Sequence, residues 1–242
     1  MNFKKNKLEL TEQGFSICSD LYTETEVAEI IRLVDSMDTD HSSFLKTTSL
    51  FAIRQFMNHI PELSKLIYNE NLLKLIKEVG GENYFLTKAI YFDKPAGSNW
   101  FVAYHQDLSI SVADKTEIGE YENWTFKKGQ YGVQPPVHIL ENIITIRIHL
   151  DETNEGNGAL KVIPKSHTKG IYRPTAINWE EVKEVFCKVG KGGVMLMKPL
   201  IFHSSSRSTT NTQRRVIHLE FSNQELAAPL RWLERKEILV ES

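Results

Sequence analysis

Between Thr23 and Gly81 apolar residues recur at three- and four-residue intervals, the period of one face of an α-helix. Val27, Ile30, Ile31 and Val34 form one such face, and Thr23-x-x-Glu26 in front of them is a capping box that marks a helix start. Leu63, Leu66, Ile67, Leu72, Leu75, Ile76 and Val79 keep the same spacing behind Pro61 and end at Gly80-Gly81, which predicts a second helical segment. The N-terminal part, about residues 1–82, therefore reads as helical. The Lys4-Lys5-Lys7 cluster ahead of it reads as a flexible, solvated tail.

From Tyr84 the period drops to two. Tyr84-Phe85-Leu86 and Ala89-Ile90-Tyr91-Phe92 are β-rich and end at Pro95-Ala96-Gly97. In Ile143 to Leu150 the alternation is strict: Ile144, Ile146, Ile148 and Leu150 on one face, Thr145, Arg147 and His149 on the other. A strand with one apolar face and one polar, chemically capable face suits a barrel whose interior is a site. Further short strands are expected at 159–164, 194–197, 201–203 and 215–221, separated by Gly-rich turns. Residues 113–137 are polar and read as an irregular loop, equally a lid or a surface insertion. Helices first and many short strands after predict a mainly β domain, a jelly-roll core over about 83–222 braced by N-terminal α-helices. No repeat or low-complexity linker divides the chain, so residues 1–242 are expected to form a single domain.

Bulk properties narrow the function by exclusion. The formal net charge is -2, with no basic field to attract nucleic acid or an anionic membrane. No run of about 18 apolar residues is present, so no transmembrane helix is expected. The first residues lack the apolar core of a secretory signal. Two distant cysteines, Cys18 and Cys187, without metal-type spacing, fit a reducing, cytoplasmic setting. Oligomeric state leaves no trace in the sequence.

The sharpest chemistry is His105-Gln106-Asp107. Residues two apart on an extended chain point the same way, so an imidazole and a carboxylate converge on one point. With a histidine from a distant strand they would make the two-histidine, one-carboxylate face that suits iron(II) and leaves positions open for an oxo acid and dioxygen. His203 follows Ile201-Phe202, and Arg214 lies eleven residues later on the next strand, where a hairpin can bring both to one wall. The planar guanidinium suits the distal carboxylate of 2-oxoglutarate, and Ser205 can add a hydroxyl. Arg215 is the rival to Arg214. Alternation favours Arg214, because Arg215 falls on the apolar face with Ile217, Leu219 and Phe221 and has to reach the edge of the layer.

These stretches resemble the phytanoyl-CoA dioxygenase family of iron(II)/2-oxoglutarate oxygenases. The likeness rests on Phe92 to Trp100 leading into Tyr104-His105-Gln106-Asp107, on Leu150-Asp151-Glu152-Thr153, on Asn157-Gly158-Ala159 through Pro164-Lys165-Ser166-His167, and on Gly193 to Met197 followed by His203 and Arg214. Together they span about residues 85–222. The resemblance implies a double-stranded β-helix, or cupin-like jelly roll, with His105, Asp107 and His203 on iron(II) and Arg214 on 2-oxoglutarate. Gln106, Arg147 and Ser205 fall where further co-substrate contacts are expected. It also implies that dioxygen and the oxo acid are consumed, with succinate and carbon dioxide released, while a small-molecule substrate is hydroxylated. Related halogenases lack the carboxylate that Asp107 provides. The chain departs from the family pattern at Tyr104, where tryptophan is common, and at Lys165, where glycine is common.

The remaining candidates keep two readings each. Arg147 is either an anion ligand or half of an ion pair with Glu220. His149 and His218 read as hydrogen-bonded barrel histidines. Trp100, Phe101, Tyr104 and Trp124 read as core packing or as a pocket wall. The alternative function is a non-catalytic cupin-type protein that holds a metal or small ligand.

Overall fold

The computed structural model describes residues 1–37 and 51–238, together with the backbone of 44–46. The chain runs α1 (Lys4–Gln13), β1 (Phe15–Cys18), α2 (Glu24–Asp35), β2 (Phe44–Lys46), β3 (Phe51–Arg54), α3 (Phe56–His59), α4 (Leu63–Ile67), α5 (Glu70–Gly80), β4 (Phe85–Lys94) and β5 (Val102–His105). It continues through β6 (Ile110–Val112), β7 (Glu122–Lys127), β8 (Gln130–Gln134), α6 (Val137–Asn142), β9 (Ile144–His149), β10 (Leu160–Val162), β11 (Val185–Phe186), β12 (Val194–Met197), β13 (His203–Ser205), β14 (Arg214–Ser222) and β15 (Lys236–Glu237).

The helices form where capping and apolar period agree. Thr23 accepts from the Glu26 amide at 3.2 Å, and the Glu26 carboxylate accepts from the Thr23 amide at 2.7 Å, so the capping box is complete. Val27, Ile30 and Val34 of α2 are buried. The segment after Pro61 is two helices rather than one. Asn69 interrupts it, its side chain accepting from the Leu72 amide at 2.9 Å to cap α5. The lysine-rich start is helix α1 and not a free tail. Phe3 and Leu10 anchor it in the core, its lysines are the solvent face, and Gly14 in the left-handed region ends it.

Three antiparallel sheets follow. The large sheet has the order β1-β12-β9-β14-β4-β3-β2, with β15 also paired to β4. A second sheet has the order β11-β10-β13-β5, and a third β6-β8-β7. Alternation sorts the large sheet cleanly. Ile144, Ile146 and Ile148 of β9, Ile217, Leu219 and Phe221 of β14 and Tyr91 of β4 share one fully apolar cluster with the buried faces of α2, α4 and α5. Each such buried side chain contributes about 1.5–3 kcal/mol. Arg215, on that apolar side, reaches the edge as expected and makes a two-pronged ion pair with Asp151 at 2.7 and 2.9 Å. The opposite face carries Lys88, Ile90 and Phe92 of β4, Arg147 of β9, and Arg214, His218 and Glu220 of β14, and turns toward the second sheet across a cavity of about 580 Å³.

Residues 113–137 are not an irregular loop. Most of them form the hairpin β7–β8, turned by Lys128-Gly129 with positive φ at both positions (52° and 72°), the backbone of a tight hairpin turn. Asn123, Thr125 and Lys127 on β7 and Gln130, Gly132 and Gln134 on β8 line the cavity. Trp124 and Val133 pack into a separate apolar cluster behind it. The hairpin is thus a cavity wall with a polar inner face.

Candidate metal and co-substrate site

His105 ends β5 and His203 opens β13, and the two are direct register partners. Their rings lie 4.3 Å apart, centroid to centroid. His105 Nδ1 sits 2.9 Å from the Ala103 carbonyl and His203 Nδ1 sits 3.0 Å from the Ile201 carbonyl. Both rings therefore donate through Nδ1 and keep the Nε2 lone pair free, the tautomer a metal ligand needs. Asp107, two residues beyond His105, places Oδ1 at 3.6 Å from His105 Nε2 and Oδ2 at 3.6 Å from His203 Nε2. One donor atom from each residue lies within 4.8 Å of the other two, so a single ion can reach all three. The Asp107 amide donates to the Pro199 carbonyl at 2.9 Å, which fixes the backbone between the strands.

Electrostatics follow from that geometry. Burial pushes the Asp107 carboxyl up, but the His203 and His105 imidazoles more than offset it and hold it well below the usual range. Burial likewise disfavours the charged form of His105, yet hydrogen bonding and the charge of Asp107 lift it above its ordinary value. In the more enclosed His203 desolvation wins and the value falls. The donor set is one carboxylate and two imidazoles on one face with the cavity open beyond it, which fits iron(II).

Gln106 does not face this cavity. Lying between two ligand positions on extended chain, it points to the other side, where its amide donates to the Gly170 and Leu200 carbonyls at 2.8 and 2.7 Å and accepts from the Tyr172 amide at 3.1 Å. Its hydrogen-bonding capacity goes to loop structure, which corrects the expectation of a co-substrate contact.

Arg214 lines the inner end of the cavity, 4 % exposed, with Nε and Nη1 buried and unpartnered. Burial, and next the charge of Arg147, push it down to about 9. A buried guanidinium with free donors and no carboxylate in reach among the described residues can take an anion. Ser205 lines the same region, its hydroxyl donating to the Gly158 carbonyl at 3.1 Å. Lys94, the register partner of Arg214, was not singled out by the sequence. It is 1 % exposed, donates to the Ser206 carbonyl at 2.7 Å, and is pushed down to about 8 by burial and by Arg214.

Arg147 is not paired directly with Glu220. His218 stands between it and Glu220. Arg147 Nη1 lies 2.9 Å from His218 Nδ1, His218 Nε2 lies 3.0 Å from Glu220 Oε1, and Lys88 closes the chain on Glu220 at 2.8 Å. Arginine can only donate, so His218 accepts at Nδ1 and donates from Nε2. The Arg147 Nε remains buried and unpartnered beside the cavity. His149 is a barrel histidine, bonded through Nδ1 to Thr153 at 2.7 Å.

Among the aromatic candidates, Trp100 lines the cavity. Tyr104 does not: its hydroxyl donates to Glu184 and its ring packs against Trp179 on the outer side. Phe101 is exposed with the Arg207 guanidinium over its ring, and Trp124 packs in the apolar cluster behind the hairpin. Lys165 holds φ at 65°, the left-handed conformation that explains why glycine is common at this turn.

Comparison with known proteins agrees with the geometry. A relative from Stutzerimonas stutzeri, named as a probable alpha-ketoglutarate-dependent hypophosphite dioxygenase, is 25% identical over 187 residues, 70% of this chain and 55% of that protein. The chain thus spans about half the length of this curated relative. Among solved structures, the apo form of EctD from S. alaskensis matches with a TM-score of 0.70 at 16% identity, covering 93% of this chain and 79% of the other. The epimerase SnoN in complex with Fe3+, alpha ketoglutarate and nogalamycin RO matches with a TM-score of 0.68 at 12% identity, covering 98% and 95%. The family model of phytanoyl-CoA dioxygenase (PhyH) matches residues 10–216, and the chain belongs to that family.

Proposed function

We propose that residues 1–242 act as one iron(II)- and 2-oxoglutarate-dependent dioxygenase domain that hydroxylates a small molecule. The observation that carries this reading is the pairing, in one cavity, of three convergent donors from His105, Asp107 and His203 with the buried, unpartnered guanidinium of Arg214. A metal ion alone would account for the first. An anion bound beside the metal accounts for the second. Family membership and the alpha-ketoglutarate dependence in the relative's name support the same assignment.

Bound at this face, iron(II) with 2-oxoglutarate supplies oxidising equivalents from dioxygen, the oxo acid leaving as succinate and carbon dioxide. The chain's own part is positioning. His105 and His203, locked through Nδ1, and the ionised Asp107 hold the ion. Arg214, helped by Ser205, takes the distal carboxylate, and the free Nε of Arg147 is available to a second anionic group. Ile90, Phe92, Val102 and Leu160 keep the intervening space apolar and exclude water. A cavity of about 580 Å³ suits a small-molecule substrate. A cytoplasmic setting suits the unpaired thiols Cys18 and Cys187. Among the described residues no helix is long and apolar enough to cross a membrane.

The test is succinate formation from 2-oxoglutarate by protein loaded with iron(II) and then exposed to oxygen. Succinate appearing only with all three components supports the reading. Metal binding without any 2-oxoglutarate binding or succinate would favour the non-catalytic cupin-type alternative.

A further inference from the structure

The inner end of the cavity holds the metal and co-substrate machinery, and that leaves the outer end to be explained. Arg54 is the last residue of β3 and the register partner of Ile90, so its side chain lies on the cavity side of the large sheet. Ile90 is in turn the partner of His218, and His218 of Arg147. One transverse row thus runs from Arg54 to the metal end. Arg54 is half-buried and has no carboxylate partner among the described residues. On the wall contributed by the hairpin, Lys127 is the charged member of the inward face, with Asn123, Thr125, Gln130 and Gln134 as uncharged hydrogen-bonding neighbours.

Charge counting makes this end informative. Among the described residues, five cationic side chains line the cavity (Arg54, Lys88, Lys127, Arg147 and Arg214) against two carboxylates, Asp107 and Glu220. Glu220 is already bonded to Lys88, and Asp107 faces the two histidines. Divalent iron and doubly charged 2-oxoglutarate cancel one another, so loading the inner end leaves the positive surplus in place. A partly enclosed cavity of one sign concentrates the opposite charge. We infer that the substrate carries an anionic oxygen group, of the sulfonate, phosphate or carboxylate class, seated at the outer end between Arg54 and Lys127. Its less polar part then lies over Ile90 and Phe92 toward the metal. This rests on the iron and 2-oxoglutarate reading of the inner end.

Calorimetric titration tests it with benzenesulfonate and its uncharged counterpart benzenesulfonamide, on the full chain both metal-free and loaded anaerobically with iron(II) and 2-oxoglutarate. In the loaded form Arg214 is occupied, so anion binding reports the outer end. The expected result is that benzenesulfonate binds the loaded protein about tenfold more tightly than the sulfonamide, and that added salt erases the difference. Arg54→Gln and Lys127→Gln should each weaken sulfonate binding several-fold and leave the sulfonamide unchanged. Lys127 is exposed on the hairpin, so its variant is informative even if Arg54→Gln folds poorly. Equal binding of the two probes, no sulfonate binding at millimolar concentration, or sulfonate binding unchanged in both variants overturns the inference. Failure of the underlying reading looks different: 2-oxoglutarate itself then gives no metal-dependent heat, while the Arg54 and Lys127 comparison on metal-free protein still decides the outer site.

Discussion

Lys94 and Arg214 are register partners on β4 and β14, two cations side by side in the interior, and no carboxylate among the described residues reaches either. Such a pair costs folding free energy until an anion arrives. Lys94→Met should therefore raise the melting temperature of the ligand-free protein by about 3 °C. The same change should raise the 2-oxoglutarate concentration needed for half-saturation about tenfold. Since Lys94 is pushed down to about 8, wild-type affinity should fall as pH rises past that value and the charge is lost. Thermal unfolding with and without 2-oxoglutarate at pH 7 and pH 9 checks all three. An unchanged ligand-induced shift in Lys94→Met would remove the lysine from co-substrate binding.

Asp107 is the direct test of the proposed metal site. Its carboxyl is held ionised by His203 and His105 before any ion binds, so the carboxylate itself needs no deprotonation at neutral pH. Asp107→Ala should lower iron affinity by about a hundredfold or more and abolish succinate formation. The fold should survive, because the Asp107 amide, not its side chain, bonds to Pro199. Iron content by metal analysis and succinate by chromatography are the measurements. Wild-type turnover in the variant would overturn the ligand assignment.

How far the sequence carries depends on whether a feature is local. The convergence of His105 with Asp107 and the choice of Arg214 over Arg215 are parity arguments, and parity belongs to any extended strand. The same parity turns Gln106 outward. Lys88 and Lys94 lie in phase with Ile90 and Phe92, but their pairing with Glu220 and Arg214 depends on long-range register between β4 and β14. The 113–137 hairpin hides for another reason. Its alternation is interrupted by a register shift between Glu122 and Thr125, with Asn123 at φ 53°, and its turn is the less recognisable Lys128-Gly129. Helix α1 buries only Asn6 and Leu10 within its span, too few positions to mark an apolar face.

The hairpin turn offers a direct test of the cavity wall. Gly129 holds φ at 72°, which a β-branched residue adopts only under strain. Gly129→Val should destabilise the β7–β8 tip by about 1–2 kcal/mol. Because no hairpin residue is among the three metal donors or beside Arg214 on β14, metal and 2-oxoglutarate binding should stay near wild type. Hydrogen exchange should rise at Lys127 and Gln130 while β9 and β14 remain protected. Loss of protection throughout the large sheet would mean the hairpin is integral to the fold.

Glu234 gives the fold a pH dependence separate from the site. It is 4 % exposed, its Oε1 accepts from the Ala89 amide at 3.3 Å, and its Oε2 is buried without a partner. Burial raises its carboxyl from 4.5 to about 7, so the folded protein keeps a proton that the unfolded chain releases. The stability this proton confers is complete below pH 4.5 and is lost as pH rises through 7. Glu234→Gln mimics the protonated form at every pH. Relative to wild type it should be near neutral at pH 4.5 and more stable by about 3 kcal/mol at pH 8. Urea unfolding of both proteins at the two pH values isolates the effect, since all other titrating groups are shared. A stability difference that does not grow between them would mean that Glu234 is ionised and paired in the folded state.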